Sequence, residues 1–433
     1  MSILTGIIVF SILVFIHEFG HFLLAKKNDV KVIEFSIGFG PKIFSFVKGE
    51  TRYSFKAIPF GGACQMLNKE MVPEEEMANE DITRAFESKS VWARMSIVLA
   101  GPIFNFALAF ILAIVVIGAV GSDEPVILEV AADSPAAIAG LKEGDVITGY
   151  NGADIDIARE IYLEEFIHPI TGKPIVIKYM REGKEYETTL TPRVVERYVM
   201  GITYSLDAET VVLSSLTQGS PLEKAGAKVG DVIVALDGVK ITTAKSFNEY
   251  IESHPLTADE RVITVDRDGK EVQLTIKPMI SESYYMGFAY NVGRVKTDAL
   301  GVLKYSCIEI GYQISTVYKS LGMLFTGQVT VNDFSGPVGI VDFIDETYEE
   351  TKSEGAMMVF MNIANLTMLL SANLGVMNLL PIPGLDGGRF LFQVIEVILR
   401  RPVKHEEYFH LAGMLLLMLF AVYVMFQDIF KLF

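Results

Sequence analysis

Four long apolar stretches limit what this chain can fold into. They run from about Ile3 to Ala25, Val91 to Val120, Ala356 to Leu380 and Phe409 to Phe426. Each is long enough, at about 20 residues, to cross a bilayer as a helix. Hydrophobic residues make up 51% of the chain, yet its formal net charge is −16. We therefore expect apolar spans joined to an acidic, water-exposed part, and no nucleic acid partner, because phosphate binding requires a basic surface.

Basic residues next to these stretches indicate how they are oriented. The clusters are Lys26, Lys27 and Lys31 after the first stretch, Arg84, Lys89 and Arg94 before the second, and Arg389, Arg400, Arg401 and Lys404 between the third and fourth. The positive-inside rule places all three clusters in the cytoplasm. We therefore predict a multi-pass protein of the cytoplasmic (inner) membrane with both termini outside the cytoplasm. The first stretch lacks the cleavage site of a signal peptide, so we expect a retained span.

The water-exposed region contains an internal repeat. Residues 134–152 match residues 220–238, and each copy is followed by a strand-like segment and a charged turn, at 181–184 and 267–270. Each copy predicts a short helix, a Gly-Asp turn, a buried strand and an Asn-Gly or Asp-Gly turn. The two copies resemble PDZ domains of bacterial envelope proteases, which implies two α+β domains outside the cytoplasm.

The remaining segments complete a polytopic α-helical fold. Alternating apolar residues with Gly and Pro breaks predict short strands after the first span, forming a membrane-associated β-hairpin. An amphipathic helix is predicted from about Asp298 to Thr326, lying on the outer face. The predicted segments are a first span at 1–32, the β segment at 33–68, a cytoplasmic loop at 69–90, a second span at 91–121, PDZ-like domains at 122–197 and 198–282, the amphipathic helix and its connections at 283–355, a third span at 356–390, a cytoplasmic loop at 391–407 and a fourth span at 408–433.

The first span contains the sequence His17-Glu-Phe-Gly-His21, an HExxH motif. The i, i+4 spacing places both imidazoles on one face of a helix, where they can bind one Zn²⁺. Glu18 lies roughly 100° round the helix and can act as general base on the attacking water. Ionisable residues inside an apolar span are costly and are usually functional. The alternative is a satisfied polar cluster between helices.

Catalytic zinc usually has three protein ligands, so a further ligand is needed. His168 and His254 belong to the outer repeats, and His405 and His410 follow a basic loop. Asp386 lies in a Pro- and Gly-rich segment that interrupts a helix at its predicted cytoplasmic end, where a carboxylate could approach the two histidines. On spacing alone, Asp386 could equally be a turn residue, since Asp-Gly is a common turn.

Two motifs together resemble the site-2 protease family of intramembrane zinc proteases. They are the HExxH motif in a first span and Asn378-Leu-Leu-Pro-Ile-Pro-Gly-Leu-Asp386-Gly at the end of a later span. The PDZ-like pair narrows the resemblance to the bacterial regulator of sigma-E protease branch. Further matching segments are 35–40, 59–62, 100–105 and 335–339.

This resemblance implies a zinc endopeptidase that cleaves single-span membrane proteins within the bilayer, near its cytoplasmic side. His17, His21 and Asp386 would hold one Zn²⁺, with Glu18 as general base. Asn378 would bind substrate or stabilise the oxyanion, and the strands around Gly38 and Gly40 would receive substrate as an added strand. The substrates would be anti-sigma factors or remnant signal peptides, already cut by an upstream site-1 protease.

Two other classes of protein share some of these features. A non-catalytic membrane scaffold would use the PDZ-like units to capture protein termini and would not need Glu18. A metal or ion transporter would place His and Asp in the membrane, but it predicts internally repeated spans, which the sequence does not show.

Overall fold

A computed structural model describes residues 2–69, 81–204, 210–330, 336–403 and 405–431. The helices are α1 Ser2–Lys27, α2 Val91–Val120, α3 Pro135–Ile138, α4 Ala158–Ile167, α5 Pro221–Lys224, α6 Ala244–Ser253, α7 Ala299–Thr326, α8 Pro337–Thr351, α9 Ala356–Leu379, α10 Asp386–Leu399 and α11 Glu406–Lys431. Short 3-10 turns cover Ile82–Arg84, Phe86–Ser88 and Lys352–Glu354.

The strands are β1 Val32–Lys48, β2 Thr51–Met66, β3 Ile127–Val130, β4 Val146–Tyr150, β5 Ala153–Asp154, β6 Ile175–Arg181, β7 Lys184–Leu190, β8 Arg193–Val199, β9 Ile202–Thr203, β10 Val211–Val212, β11 Ser215–Leu216, β12 Val232–Leu236, β13 Val239–Lys240, β14 Arg261–Arg267, β15 Lys270–Ile276, β16 Met279–Tyr285 and β17 Phe288–Tyr290. The chain forms two compact units. One comprises residues 1–124, 156–163 and 291–433, and the other comprises residues 125–155 and 164–290.

Four helices of the first unit coincide with the four apolar stretches of the sequence. Within the described residues, α1, α2, α9 and α11 are long and apolar enough to cross a membrane. The helix α2 occupies the middle, since it packs against α1, α7, α9 and α10. Small residues of α2, Ala109 and Ala113, are fully buried against Met368 and Ala372 of α9. Small side chains at this contact allow the two helix backbones to approach closely.

The predicted amphipathic helix is present as α7, which starts after Asp298. The Asp298 side chain caps it by accepting the N–H of Gly301. Tyr305 is buried against residues of α2 and α9, and Ser306 and Glu309 of α7 are buried as well. We predicted no further helix in 283–355, yet α8 follows and packs Ile344 against Val9 and Leu13 of α1. Ser335, at the start of a matching motif, lies outside the described residues.

Within the predicted cytoplasmic loop at 391–407, the structure shows that α10 continues to Leu399. Its sequence alternates apolar and polar residues at the helical period, so one face can pack against α2 and α9. Arg400 ends the helix in the left-handed conformation, with φ 53°. Of the earlier loop at 69–90, residues 70–80 lie outside the described part of the chain.

The β segment after α1 differs from the predicted short strands. It forms two long antiparallel strands, β1 and β2, of 17 and 16 residues. Phe35 pairs with both Tyr53 and Cys64, so this part of β1 lies between two segments of β2, and the register shifts repeatedly along the pair. Gly38 and Gly40 have φ values of 85° and 86°, a conformation that favours glycine. Glycine bends therefore let the chain keep its pairing where the sequence predicted interruptions.

Ion pairs hold the turn of this hairpin to the rest of the first unit. Glu50 accepts hydrogen bonds from Arg84, at 2.6 and 2.8 Å, and from Lys26 at 2.6 Å. The Arg84 guanidinium also contacts Asp29, at 2.9 Å. These cations lower the pKa of the Glu50 carboxyl to about 2. The turn between β1 and β2 is thus tied to the end of α1 and to the segment before α2.

The second unit contains the two predicted repeats, apart from residues 156–163. At a constant offset along the chain, α3, β4, β5, α4, β6 and β7 of the first repeat recur as α5, β12, β13, α6, β14 and β15 of the second. Each repeat has its own sheet, β5-β4-β6-β7 and β10-β12-β14-β15. The same buried ion pair recurs, since Arg181 contacts Asp145 at 2.6 Å and Arg267 contacts Asp231 at 2.8 Å. Arg267 lowers the pKa of the Asp231 carboxyl.

The strand pairing does not follow the predicted division between residues 197 and 198. In the first repeat, β3 pairs with β17, which comes after the whole second repeat. Gly287, just before β17, accepts the hydroxyl of Ser134 through its carbonyl at 3.2 Å. The segment β8 likewise pairs with β16. The second repeat is therefore inserted within the first. Local sequence patterns do not reveal this arrangement, because the paired strands are far apart in the chain.

Candidate metal centre

His17, His21 and Asp386 lie together in the first unit. The Nε2 atoms of the two histidines are 3.2 Å apart. Oδ2 of Asp386 is 3.2 Å from His17 Nε2 and 3.3 Å from His21 Nε2. Only 11–17% of each side chain is exposed. The i, i+4 spacing thus places both histidines on one face of α1, as the sequence predicts. Asp386, 365 positions beyond His21 in the chain, lies against this histidine pair.

These three donor atoms match the geometry of a zinc site. In tetrahedral zinc coordination with bonds of about 2.0–2.1 Å, neighbouring donor atoms are roughly 3.3–3.4 Å apart. The observed separations of 3.2, 3.2 and 3.3 Å form one nearly equilateral triangle. Asp386 Oδ2 is buried and has no hydrogen-bond partner among the described residues. A cation bound to all three atoms would satisfy this oxygen, and two imidazoles with a carboxylate are a zinc donor set.

The local sequence around Asp386 explains how the carboxylate is delivered. The helix α9 ends at Leu379, and α10 begins at Asp386. Pro381 and Pro383 between them cannot continue a helix. An added Cβ at Gly387 would lie 2.3 Å from the carbonyl oxygens of both Leu379 and Leu380, so only glycine allows this tight return. Asp386 occupies the first turn of α10, where the helix dipole favours a carboxylate.

The helix α2 approaches the two histidines closely because it carries a glycine there. A Cβ at Gly101 would lie 2.4 Å from His21 Nε2 and 2.7 Å from His17 Cε1. On the α1 side, a Cβ at Gly20 would lie 2.4 Å from the Ala100 carbonyl oxygen. The backbone of α2 therefore forms a wall of the site, a role for the 100–105 motif that the sequence did not reveal.

The ring nitrogens that face away from the centre also have partners on α2. His21 Nδ1 lies 2.8 Å from the carbonyl oxygen of Ile97. His17 Nδ1 lies 3.1 Å from the Nδ2 atom of Asn105, which is fully buried. Neither Ile97 nor Asn105 was a predicted site residue. Their signal in the sequence was weak, because only the folded packing of α1 against α2 brings them to the histidines.

A cavity of about 440 Å³ opens onto this cluster. Glu18 and Asn378 both line it, together with the three clustered residues. Asn378 donates a hydrogen bond from Nδ2 to the Leu374 carbonyl, 3.0 Å away, on its own helix. The rest of the lining combines apolar residues with charged ones, among them Glu87 and Arg389. A carboxylate of α1 and a carboxamide of α9 thus lie beside the three clustered donor atoms.

Gly38 and Gly40 do not line this cavity. Gly38 lies inside the hairpin, where an added Cβ would be 2.5 Å from the Ile58 carbonyl oxygen. The part of the hairpin that does line the cavity is the end of β2 and the residues after it, 64–68. We did not predict this segment as part of the site. Which strand residues lie at an exposed edge depends on the pairing register, and the shifts in register between β1 and β2 are not evident from the sequence.

One ion pair connects the helix that carries Asp386 to α2. Arg94 Nη2 lies 2.6 Å from Glu396 Oε1, and the two side chains are 13% and 15% exposed. Arg94 is in the first turn of α2 and Glu396 is in α10. Since α10 begins with Asp386, this contact helps to fix the carboxylate relative to the histidine pair.

Comparisons with known proteins converge on one family. The model of the family described as Peptidase family M50 matches residues 5–420. A putative zinc metalloprotease of Vibrio cholerae is 32% identical, over 98% of this chain and 98% of its own length. Zinc metalloprotease RasP of Oceanobacillus iheyensis is 29% identical, over 100% of this chain and 99% of its own. Regulator of sigma E protease of Haemophilus influenzae is 28% identical, over 98% of both chains.

Proposed function

Because the chain belongs to Peptidase family M50 and is a zinc metalloendopeptidase of the intramembrane site-2 type, we propose that His17, His21 and Asp386 are its zinc ligands and that Glu18 is its general base. The observation that carries this proposal is the triangle of donor atoms with sides of 3.2–3.3 Å. Two of its corners lie on a helix apolar enough to cross a membrane.

The cofactor and the side chains divide the chemistry between them. When bound, zinc supplies Lewis acidity that polarises the scissile carbonyl and lowers the pKa of water. Glu18 takes a proton from the attacking water and returns it to the leaving amine, as general base and then general acid. Asn378 faces the same cavity and binds the substrate backbone or stabilises the oxyanion through its carboxamide.

A substrate helix must first unwind, because its carbonyls are hydrogen-bonded within the helix. An extended segment loses those bonds and needs new partners in a membrane. We propose that the substrate adds as a strand along residues 64–66 of β2, which line the cavity. Edge pairing satisfies the freed backbone groups. The glycines Gly38 and Gly40 then act indirectly, since their positive φ values shape the hairpin that presents this edge.

We further propose that α1, α2, α9 and α11 cross the cytoplasmic membrane. Lys26 and Lys27 end α1, and Arg94 begins α2, so the positive-inside rule places these ends in the cytoplasm. The cavity lies at the same depth, because His21 and Arg389 line it. Both termini and the two β-rich repeats are then outside, with the repeats acting as PDZ-like domains that restrict access by substrates with bulky outer domains.

This arrangement and the name of one relative support a proposal for the substrate class. One relative is named regulator of sigma E protease. We propose that the substrates are single-span membrane proteins shortened by an upstream site-1 protease, either anti-sigma factors or remnant signal peptides. A scissile bond inside the bilayer is consistent with a cavity to which three of the four long apolar helices, α1, α2 and α9, contribute lining residues.

The test uses the purified full chain in detergent with a truncated single-span substrate. Glu18→Gln should lower the cleavage rate by about 10²–10⁴-fold, the usual contribution of a general base, while zinc content stays at one ion per chain. Glu87→Gln removes another carboxylate from the wall of the same cavity and should leave the rate unchanged. Cleavage by Glu18→Gln at the wild-type rate would refute the assigned mechanism and favour the scaffold, which has no use for Glu18.

A further inference from the structure

One face of the first half of α2 is directed at the two histidines. The positions concerned are Ile97, Gly101 and Asn105, each four residues after the last, so they share one side of the helix. Gly101 provides the space for the rings. Ile97 and Asn105 each contact the outward ring nitrogen of one histidine, at 2.8 and 3.1 Å. This face therefore contacts the Nδ1 atom of both imidazoles, through a backbone carbonyl at Ile97 and through a side chain at Asn105.

The contact at Ile97 determines which nitrogen of His21 carries a hydrogen. A carbonyl oxygen can only accept, so His21 Nδ1 is the donor in the 2.8 Å contact. The lone pair of Nε2 is then free and is directed at Asp386 and His17. A neutral imidazole in this tautomer is ready to bind a metal through Nε2. The backbone of α2 thus prepares His21 for its role.

The contact at Asn105 requires a different argument, because a carboxamide can donate or accept. Its Nδ2 atom lies 3.1 Å from His17 Nδ1, while its Oδ1 atom is buried without a hydrogen-bond partner among the described residues. In this orientation the amide donates to Nδ1, which leaves the hydrogen on His17 Nε2, the atom that must bind zinc. A half-turn of the amide exchanges two atoms of similar size. It would place Oδ1 of Asn105 next to Nδ1 of His17, so that Nδ1 carries the hydrogen and the lone pair of His17 Nε2 is free.

We propose that Asn105 is a positioning residue whose amide oxygen accepts a hydrogen bond from His17 Nδ1 and thereby holds His17 in the tautomer that binds zinc. This inference rests on the proposed function. Metal-binding histidines generally donate their other N–H to an oxygen, and loss of that partner typically costs 10–100-fold in metal affinity. Asn105 is fully buried, so no water would take the place of its oxygen.

Two substitutions separate this role from simple packing. Asn105→Leu keeps the branching at Cγ but removes the acceptor, and we expect zinc to bind 10–100-fold more weakly. Asn105→Asp keeps an oxygen that can only accept, and we expect an affinity within about threefold of wild type, or tighter, as in carboxylate–histidine–zinc triads. Zinc dissociation constants of the full chain in detergent are measured by competition with a chelator. Cobalt substitution, through its visible absorption, reports the ligand set independently of proteolysis.

Ser371→Ala is the matched control. Ser371 is also fully buried and donates to the backbone carbonyl of Asn105 at 2.8 Å, so its loss disturbs α2 at the same residue without touching the amide. We expect unchanged zinc affinity. The inference is overturned if Asn105→Leu binds zinc as wild type does, if Asn105→Asp loses as much affinity as Asn105→Leu, or if Ser371→Ala loses as much affinity as Asn105→Leu. A wild-type chain that binds no zinc would instead overturn the proposed function, and this inference with it.

Discussion

Replacing Gly101 with alanine should remove zinc while leaving the fold intact. The new Cβ would lie 2.4 Å from His21 Nε2 and 2.7 Å from carbon atoms of both rings. Non-bonded contacts of this kind are relaxed near 3.5 Å, so the rings must retreat by roughly 1 Å. Zinc–nitrogen distances tolerate deviations of only about 0.2 Å. The donor triangle would therefore open beyond what one ion can bridge.

The expected magnitudes separate metal binding from stability. Loss of a histidine's outer partner costs 10–100-fold in metal affinity, and displacement of the ligand atom itself should cost at least about 100-fold. For the fold, alanine gains about 1 kcal/mol of helix propensity, while overpacking costs about 1–3 kcal/mol. The net change in unfolding free energy should stay within about 2 kcal/mol. Zinc affinity by chelator competition and thermal unfolding of the metal-free protein in detergent measure the two effects separately.

The control lies on the same helix. A Cβ at Gly118 would meet only Val302 Cγ1, at 4.0 Å, an ordinary van der Waals distance. Gly118→Ala should therefore keep full zinc affinity and gain slightly in stability. If Gly101→Ala binds zinc as tightly as wild type does, the histidines can retreat without cost, and the view of α2 as a rigid wall of the site is refuted.

Three other perturbations test separate parts of the structure. Asp386→Ala should abolish zinc binding and cleavage together, and persistence of both would show that the third ligand is another residue. Arg94→Met and Glu396→Gln should each destabilise the fold by about 1–3 kcal/mol, and the double variant should lose less than the sum if the two side chains are coupled. Glu50 has a pKa lowered to about 2 in the folded chain, below its unfolded value of about 4.3. Its stabilising effect is therefore complete above pH of about 4.3 and is lost as pH falls through about 2. Over that pH range, hydrogen exchange of the β1–β2 turn should accelerate in wild type relative to Glu50→Gln. Equal acceleration in both proteins would refute the stabilising role of the contact between Glu50 and Arg84.

Local patterns in the sequence predicted the parts of the site that depend on one element. The helical spacing of His17 and His21 is a property of α1 alone. The end of α9 at Leu379, shortly before Pro381, follows from backbone chemistry. The four apolar helices were predicted for the same reason, since their length and composition are local. That Asp386 joins the histidines was an expectation from resemblance, because spacing alone left it as a possible turn residue.

The features that the sequence did not predict depend on contacts between distant segments. Gly101 and Asn105 belong to a motif that is also compatible with ordinary helix packing, and only the antiparallel contact of α1 with α2 gives them a role. The amphipathic helix α10 was hidden in a basic segment that resembled a loop. The length of β1 and β2 was underestimated because glycines with positive φ bend a strand without ending it.

The insertion of one repeat within the other sets an order for synthesis. Strand β3 leaves the ribosome about 160 residues before its partner β17, which corresponds to roughly 10–30 s at typical bacterial elongation rates. During that delay β3 lacks the neighbour with which it pairs in the finished protein, and an unpaired strand can bind other chains. The second repeat has all of its sheet β10-β12-β14-β15 within one continuous stretch. The domain that starts first is thus completed last, and a nascent chain halted between the repeats would carry an open edge for chaperones or proteases to recognise.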